Sequence, residues 1–349
     1  MHHIRLNRRT FAAVTAWSAV SVAAPALWAQ PRLEKNRVSI AIEGKSAFNY
    51  LPLTIAEQLG YFKAEGLEVE ISDSAGGDSR ALESAVGSSA DVVSGGYEHT
   101  INLQSKGQKF QAFVLQGRAP AIAMGISLKT MPIYKTVADL KGKKIGISAP
   151  GSSTHRMANL ILSHAGLKAG DVSFIGVGTA AGALTAFRSG QIDAMSNVDP
   201  VMTMLEQRSE IRIIADTRTL KGTVDVFGGP MPAGCLYAPL EFIQKNPHTV
   251  QALTYAMVHS LKWLQTAGPG DIIKTVPEAY LLGDRAMYLA AFNKVREAIS
   301  PDGMIPDEGP RTALRALASF DSAIKVDKIE LSKTYTNEFA KKAKERFKA

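Results

Sequence analysis

The 349-residue sequence contains a single cysteine, Cys235, so it has no cysteine pair from which an intrachain disulfide can form. The same scarcity excludes a Cys-x-x-Cys redox or metal site. No cysteine stands directly after the apolar N-terminal run, which argues against a lipid-modified N-terminus. We expect Cys235 to be a small buried apolar residue.

Recognised catalytic motifs are also missing from the sequence. The seven histidines are scattered, and none forms a His-Glu-x-x-His pair. No Gly-x-Ser-x-Gly elbow, Walker loop or dinucleotide fingerprint is present. His99 and His155 flank polar loops, where a lone histidine is more often a surface or capping residue than a ligand. We therefore expect no cofactor, no bound metal and no enzymatic activity.

Long apolar runs are absent beyond the N-terminus, since no later segment approaches about 18 uninterrupted apolar residues. Residues 1–29 carry three arginines before a weakly apolar run from Phe11 to Trp28, which is the layout of an export signal. A retained membrane anchor is the alternative. Residues 7–11 resemble the twin-arginine export motif, with the general secretory route as the other candidate. We expect cleavage of residues 1–29 and a periplasmic protein that is not embedded in the membrane.

The charge pattern gives no sign of a nucleic-acid partner. Cleavage after residue 29 removes three arginines and no acid, so the formal net charge falls from +8 to +5. The basic residues between Lys341 and Lys348 are spaced as on a solvated helix end. The mature surface is only mildly basic, and we expect no binding to nucleic acid.

One sequence pattern occurs twice, about 102 residues apart. Each copy begins with Ala-Leu, at 81–82 or 183–184, and continues to an aspartate, Asp91 or Asp193, that precedes a short apolar run. Predicted strands alternate with predicted helices around both copies, which indicates parallel βαβ units. Two similar units predict two similar lobes, with a ligand site where loops at their strand ends face each other.

The length and the order of predicted elements favour a two-lobed α/β fold, in which each lobe is a mostly parallel sheet flanked by helices. The extended segments 110–116 and 121–126 are separated by a short joint, which we interpret as the passage between lobes. A Gly/Pro-rich stretch at 228–232 precedes the predicted return of the chain from lobe 2 to lobe 1. We predict that residues 30–119 begin lobe 1, that 120–235 form lobe 2, and that 236–349 are a return segment and C-terminal helices, mainly in lobe 1.

The loop Ser148–Thr154 is the strongest candidate for ligand contact. It follows a predicted strand and precedes a helix, and hydroxyls with unpaired N–H groups at a helix start favour an anionic or strongly polar group. Plain N-capping by Ser152 or Ser153 is the alternative. Gly77, Asp78 and Ser79 occupy the corresponding place in the first lobe.

Other candidates have structural alternatives of their own. Tyr97 either contacts a ligand or packs at an edge. Arg118, at the predicted joint, either clamps a carboxylate, sulfonate or phosphate or forms an ion pair across the hinge. Arg156 begins the helix after the hydroxyl loop, with solvent exposure as its alternative. Carboxylates and an amide also follow the two repeated strands, within 95–98 and 197–200.

Several motifs resemble a known family. The segments 49–53 and 60–62, the stretch Asp139–Gly146 followed by Pro150–Thr154, and the segment 190–194 look like hallmarks of the periplasmic substrate-binding proteins of nitrate, sulfonate and taurine ABC importers. The family also includes binders of thiamine-precursor pyrimidines. The resemblance covers nearly the whole mature chain and implies a type II binding-protein fold that delivers a small solute to a membrane permease and its ATPase.

The resemblance implies ligand contacts on the loop before the first helix, on the hydroxyl loop and on the loops around Tyr97 and Asn197. Combined with the residues above, the predicted ligand contacts are Phe48, Asn49, Tyr50, Gly77, Asp78, Ser79, Gly96, Tyr97, Glu98, Arg118, Ser148, Gly151, Ser152, Ser153, Thr154, Asn197 and Asp199.

We expect a monomer that closes over a small anionic organic solute of the sulfonate, nitrate or carboxylate class. A binder of a pyrimidine or aromatic compound is the alternative. An enzyme on the same fold and a sensory protein that reports the ligand to a membrane partner are further alternatives.

Overall fold

A computed structural model describes residues 32–42, 44–73, 87 and 89–349 of the chain. The predicted export signal and the predicted contacts Gly77, Asp78 and Ser79 lie outside the described residues. Residues Leu33 to Ala349 form one unit, within which the described strands make two sheets.

Each sheet has five strands, in the orders β2-β1-β3-β10-β4 and β7-β6-β8-β5-β9. The strands are β1 Arg37–Ile42, β2 Glu68–Asp73, β3 Val92–Gly96, β4 Phe110–Leu115, β5 Ile122–Ser127, β6 Lys144–Ile147, β7 Ser173–Gly176, β8 Ala194–Val198, β9 Ile211–Asp216 and β10 Gly234–Pro239. We call the first sheet with its helices lobe 1 and the second sheet with its helices lobe 2.

Helices flank both sheets. The described α-helices are α1 Leu51–Gln58, α2 Tyr61–Ala64, α3 Glu98–Ser105, α4 Ser153–His164, α5 Ala181–Ser189, α6 Val201–Gln207, α7 Leu220–Phe227, α8 Leu240–Lys245, α9 Pro247–Thr266, α10 Pro269–Thr275, α11 Arg285–Val295, α12 Gly309–Ala318 and α13 Glu338–Phe347. The predicted two-lobed α/β fold is confirmed. The residue boundaries of the lobes stay a prediction.

The repeated pattern corresponds to equivalent strands of the two sheets. Asp91 precedes β3, and its carboxylate accepts a hydrogen bond of 2.9 Å from the backbone N–H of Ser39 in the neighbouring strand β1. Asp193 precedes β8 and accepts one of 3.0 Å from the N–H of Lys144, which opens the neighbouring strand β6. Each aspartate thus joins the start of its own strand to a neighbouring parallel strand.

Both sheets are mixed because the chain passes between them twice. After β4 the chain enters the other sheet as β5, which is antiparallel to β8 and β9. It returns as β10, which is antiparallel to β3 and β4. The remaining described pairs are parallel. The two connecting segments, 116–121 and 228–233, lie side by side, since the N–H of Ala233 donates to the carbonyl of Gly117 at 2.9 Å.

The largest buried apolar cluster contains residues of both sheets, including Ile40 in lobe 1 and Ile145 in lobe 2. The long helix α9 contributes its apolar stripe to this cluster, as the spacing predicts, through Val250, Leu253, Met257, Leu261 and Leu264. Within the described part of the chain, no helix combines the length and apolar character needed to span a membrane.

Candidate functional site

A cleft of about 500 Å³, part of which opens to solvent, lies between the two lobes. Most of its lining is apolar, as is usual for small-molecule sites. Its large apolar side chains include Tyr50, Met157, Phe227, Met231, Leu317 and Phe320. Four polar side chains also line it: Asn49, Glu98, Ser153 and Arg156.

A second pocket, which is partly open to solvent, shares Asn49, Tyr50, Ile122 and Ser153 with the cleft. Its other walls include the hydroxyl loop through Ser148, Ser152 and Thr154. The predicted hydroxyl loop and the predicted loop before the first helix therefore meet at one place. Whether they contact a ligand stays a prediction.

The loop before the first helix forms a short 3-10 turn, Phe48–Tyr50. Asn49 Nδ2 donates a hydrogen bond of 2.8 Å to the carbonyl of Pro120, which lies in the connection between the lobes. Its Oδ1 is buried with no partner in the protein, so it is an available acceptor. Phe48 instead packs in the core, with its ring 4.6 Å from that of Tyr288.

The hydroxyls of the loop before α4 mainly hold the loop together. Thr154 Oγ1 accepts a hydrogen bond of 2.9 Å from the Ser148 N–H and lies 2.8 Å from Ser152 Oγ. Ser152 is the N-cap and accepts from the N–H of His155, so the predicted capping is present. Gly151 has a φ of +84°, a conformation that favours glycine, and its N–H donates to His155 Nδ1.

Ser153 reaches across the cleft from lobe 2 to lobe 1. Its Oγ donates a hydrogen bond of 2.5 Å to Glu98 Oε1. Glu98 begins α3, directly after β3, and is only 4% exposed. Gly96 lies under this contact, and a Cβ there would come within 2.6 Å of both Glu98 oxygens. Glycine at 96 therefore allows the carboxyl group to fold over the end of β3.

Three residues predicted as ligand contacts are engaged within the protein and do not line the cleft. Tyr97 is fully buried, and its hydroxyl lies 2.5 Å from Thr334 Oγ1. Asn197 is fully buried, and its Nδ2 donates to the carbonyl of Gly178 at 2.9 Å. Asp199 is also buried, and burial raises its pKa despite the nearby guanidinium of Arg218.

The arginine of the cleft is Arg156 rather than Arg118. Arg118 Nε donates a hydrogen bond of 2.8 Å to the carbonyl of Glu297, outside the cleft. Arg156 is half-buried, and its Nε is buried with no partner. Its guanidinium forms no hydrogen bond or ion pair with the described residues. Arg156 is a candidate from the sequence, with solvent exposure as its alternative, but it is not among the predicted ligand contacts, because the helix face that turns inward depends on the opposite lobe.

Sequence reasoning also missed the wall formed by the returning chain and by α12. Phe227 ends α7, Met231 lies in the second connection, Leu317 lies in the last turn of α12, and Phe320 follows that helix. The Gly/Pro-rich stretch at 228–232 predicts that the chain crosses between the lobes there. It is the one feature of the sequence that points to this wall. The described residues contain no cluster of His, Cys, Asp and Glu suited to a metal ion.

Comparisons with known proteins agree with this architecture. A profile of the NMT1/THI5-like family matches residues 47–267. A solved structure from Bordetella bronchiseptica RB50 is 58% identical, with a TM-score of 0.89, and the match covers 91% of this chain and all of that one.

More distant proteins share the fold. The alkanesulfonate-binding protein SsuA from Xanthomonas axonopodis pv. citri, solved with bound MOPS, is 18% identical with a TM-score of 0.65, and the match covers 88% of this chain and all of that one. YtlA of Bacillus subtilis (strain 168), whose name describes a binding protein, is 22% identical over 78% of this chain and 80% of its own length. These likenesses support a solute-binding role. With a matching profile over more than half of its length, the chain belongs to the NMT1/THI5-like family and has the periplasmic binding-protein fold.

Proposed function

We propose that the protein is the solute-binding component of an ABC importer and captures a small organic anion between its lobes. In this proposal residues 1–29 are a cleaved export signal, the mature protein acts as a monomer in the periplasm, and the closed form delivers the solute to a permease and its ATPase. Family membership and the two-lobed fold support this role. Closure is favoured by ligand because only the closed form brings contacts from both lobes together.

The unpaired guanidinium of Arg156 is the observation that carries the anion assignment. It lines a mostly apolar cleft, and its buried Nε has no partner, which is unfavourable for a charged group. A carboxylate or sulfonate would supply the missing partner through charge-assisted hydrogen bonds, which a guanidinium donates in a planar fork.

The apolar walls narrow the class of anion. Nitrate has no apolar surface, and it would leave the side chains of Met157, Phe227, Leu317 and Phe320 without contacts from the ligand. An organic acid with an aliphatic or aromatic body buries that surface, and each Å² of buried apolar area contributes about 25 cal/mol. We therefore favour an organic acid over nitrate.

The aromatic side chains Tyr50, Phe227 and Phe320 also suit a flat neutral ring, so a pyrimidine or aromatic compound is the second candidate. We propose binding rather than conversion of the solute. Cys235, the one cysteine of the chain, is fully buried in β10, and burial raises its thiol pKa well above the usual range. A thiol in that state is a poor nucleophile.

Thermal-shift and calorimetric titrations of the purified protein test this proposal. The probes are benzoate, benzenesulfonate, hexanesulfonate, nitrate and a neutral thiamine-precursor pyrimidine. We expect the organic acids to raise the unfolding midpoint by mass action, and nitrate to have little effect. Arg156→Ala should weaken binding of the organic acids about 10- to 100-fold, the range for losing hydrogen bonds to a charged group.

Arg208→Ala is the matched control, because Arg208 is an exposed arginine of lobe 2 outside the cleft. This variant should bind the organic acids with the affinity of the wild type. Stabilisation by the pyrimidine with no response to any organic acid would overturn the anion assignment. Turnover of a stabilising compound would favour an enzyme instead.

A further inference from the structure

One end of lobe 2 gathers lysines and arginines from separate parts of the chain. The strands β6, β7, β8 and β9 all start at this end, where β5 finishes. We call it the basic end, and it consists of the segments that lead into these strands: 128–144, 165–173, 188–194 and 208–212. The hydroxyl loop at 148–154 follows β6 at its other end, so the basic end lies away from the cleft.

The charge of the basic end is one-sided. Its segments contain nine lysines and arginines and four aspartates and glutamates, so they carry a formal net charge of +5. This value equals the formal net charge of the whole chain from residue 30 onward, so the rest of that chain is balanced. Charge of one sign on one surface attracts a partner of opposite sign.

The four carboxylates of the basic end all have partners within the protein. Asp139 and Asp193 accept hydrogen bonds from backbone N–H groups. Asp171 and Glu210 form ion pairs with cations of the same end. The exposed cations of this end that form no ion pair with the described residues are Lys129, Lys135, Lys144, Lys168, Arg208 and Arg212. Their charge is therefore available to an anionic partner.

An apolar loop tip projects among these cations. Ile133 is 83% exposed, and the neighbouring Pro132 is exposed as well. The loop is held in place beside this tip, because Arg212 donates a hydrogen bond of 2.7 Å to the carbonyl of Tyr134 and its guanidinium lies 4.9 Å from the centre of the Tyr134 ring. On the other side, the N–H of Met131 donates to the carbonyl of Ser127 at 2.9 Å. The fold thus presents Ile133 to the surroundings, and a partner that covers it removes apolar surface from water.

We propose that the basic end binds the surface of membranes that contain anionic lipids. Its lysines and arginines interact with the lipid phosphates, and Ile133 inserts among the headgroups with Tyr134 beside it. A lipid surface fits this combination because it offers many phosphates in one plane with an apolar layer beneath them. The cleft lies at the other end of the strands, so it stays open to solution while lobe 2 is bound. This inference goes beyond the proposed solute binding and does not depend on the solute.

Sedimentation with lipid vesicles tests the proposal, with the chain from residue 30 onward, which contains the whole unit from Leu33 to Ala349. We expect binding to vesicles of equimolar phosphatidylglycerol and phosphatidylcholine, and little binding to phosphatidylcholine alone. Raising sodium chloride from about 0.05 M to about 0.5 M should weaken binding about tenfold or more, because salt screens the lipid phosphates. Failure to bind the anionic vesicles at low salt would overturn the proposal.

Substitutions at the tip separate its charge from its apolar surface. The double variant Lys129→Gln with Lys135→Gln should weaken binding about tenfold or more and reduce its dependence on salt. Ile133→Asn should weaken binding about fivefold or more and leave the dependence on salt unchanged. All three side chains are exposed, so the unfolding midpoints should stay at the wild-type value.

A matched control lies in lobe 1, where Val326 is 54% exposed beside the exposed lysines Lys325 and Lys328. The double variant Lys325→Gln with Lys328→Gln, and the single variant Val326→Asn, should bind vesicles like the wild type. Equal losses from the lobe 1 and lobe 2 substitutions would show attraction without a defined surface, and they would overturn the assignment to the basic end.

A tryptophan at the tip reports insertion. The background Trp263→Phe leaves the chain from residue 30 onward without a tryptophan. In that background, the emission of Ile133→Trp should move to shorter wavelength when anionic vesicles are added, and that of Val326→Trp should not. Unchanged emission from Ile133→Trp would overturn insertion.

The membrane and solute proposals fail independently. Ile133→Asn should bind the organic acids as the wild type does, so a protein that binds vesicles and no solute, or solute and no vesicles, overturns one proposal and leaves the other. Loss of solute import in cells that carry Ile133→Asn, with no vesicle binding by the wild type, would assign the surface to a protein partner and overturn the lipid assignment.

Discussion

Arg218 is a fully buried arginine at the centre of a cluster of carboxylates. Its guanidinium contacts three carboxylates, at 2.6 Å from Asp216, 3.0 Å from Glu206 and 3.6 Å from Asp199. Burial acts to lower the pKa of Arg218, but the hydrogen bond to Asp216 and the three negative charges hold it above its usual value. Asp199, which was predicted to contact ligand, is therefore part of a structural charge cluster.

Arg218→Met should lower the free energy of unfolding by about 3–5 kcal/mol, because it leaves Asp199 buried without its cation. Urea denaturation at pH 7 measures this loss. Adding Asp199→Asn to that variant should restore part of the stability, since the uncompensated charge is then removed. Arg208→Met, at an exposed position, is the control and should change stability by no more than about 0.5 kcal/mol. A loss below about 1 kcal/mol for Arg218→Met would contradict the assigned role.

Part of the lining of the cleft could be predicted from the sequence. The cleft is lined by five of the residues predicted to contact ligand, Asn49, Tyr50, Gly96, Glu98 and Ser153, and their contact with a ligand stays a prediction. Arg156 is not among the predicted ligand contacts, although it lies in the same helix as Ser153, α4. The spacing of residues shows which of them share a helix face. It does not show which face the other lobe covers, because that lobe is built from residues distant in the sequence.

Glu34 lies near the beginning of the described chain and forms hydrogen bonds with the first turn of α9. Its carboxylate accepts hydrogen bonds from the N–H groups of His248, at 3.2 Å, and Thr249, at 3.0 Å, both in the first turn of the helix. Burial alone would raise its pKa, but these hydrogen bonds outweigh burial and lower the pKa to about 2. A carboxylate at a helix start also interacts favourably with the helix dipole.

Glu34→Gln should destabilise the protein by about 1 kcal/mol at pH 7, the usual cost of losing a helix cap. The folded-state pKa is depressed, so the ionised carboxylate stabilises the fold above its unfolded pKa of 4.5, and this contribution is lost as the pH falls toward 2. Urea denaturation of both proteins between pH 7 and pH 3 should show the difference shrinking below about pH 4.5. A difference that stays constant with pH would rule out this explanation.

Strands and long helices were the most predictable elements. The alternating segment 38–42 forms most of β1, and the apolar stripe of α9 is buried as its spacing predicts. The antiparallel positions of β5 and β10 had no sequence signal. These antiparallel positions follow from the two crossings between the sheets. The direction of each strand is set by the strands with which it pairs, and its own residues carry no signal for it.

The two lobes are joined by more than their connecting segments. The segment that follows β10 also contacts helices beside the second sheet: Lys294 of α11 pairs with Glu206 of α6, and the N–H of Leu220 donates a hydrogen bond of 2.9 Å to Glu297 Oε1. Beneath these contacts, the largest apolar cluster includes residues of both sheets. Packing shared in this way couples the unfolding of one lobe to that of the other.

This coupling predicts a single cooperative unfolding transition for the chain from residue 30 onward. In that chain Trp263 is the one tryptophan, and it lies on α9 against the shared cluster in lobe 1. Urea transitions followed by its fluorescence and by far-ultraviolet circular dichroism, which reports both lobes, should have the same midpoint. The variant Trp263→Phe is the control that assigns the fluorescence signal. A circular dichroism change that precedes the fluorescence change would contradict the coupling, because lobe 2 would then unfold while lobe 1 remained folded.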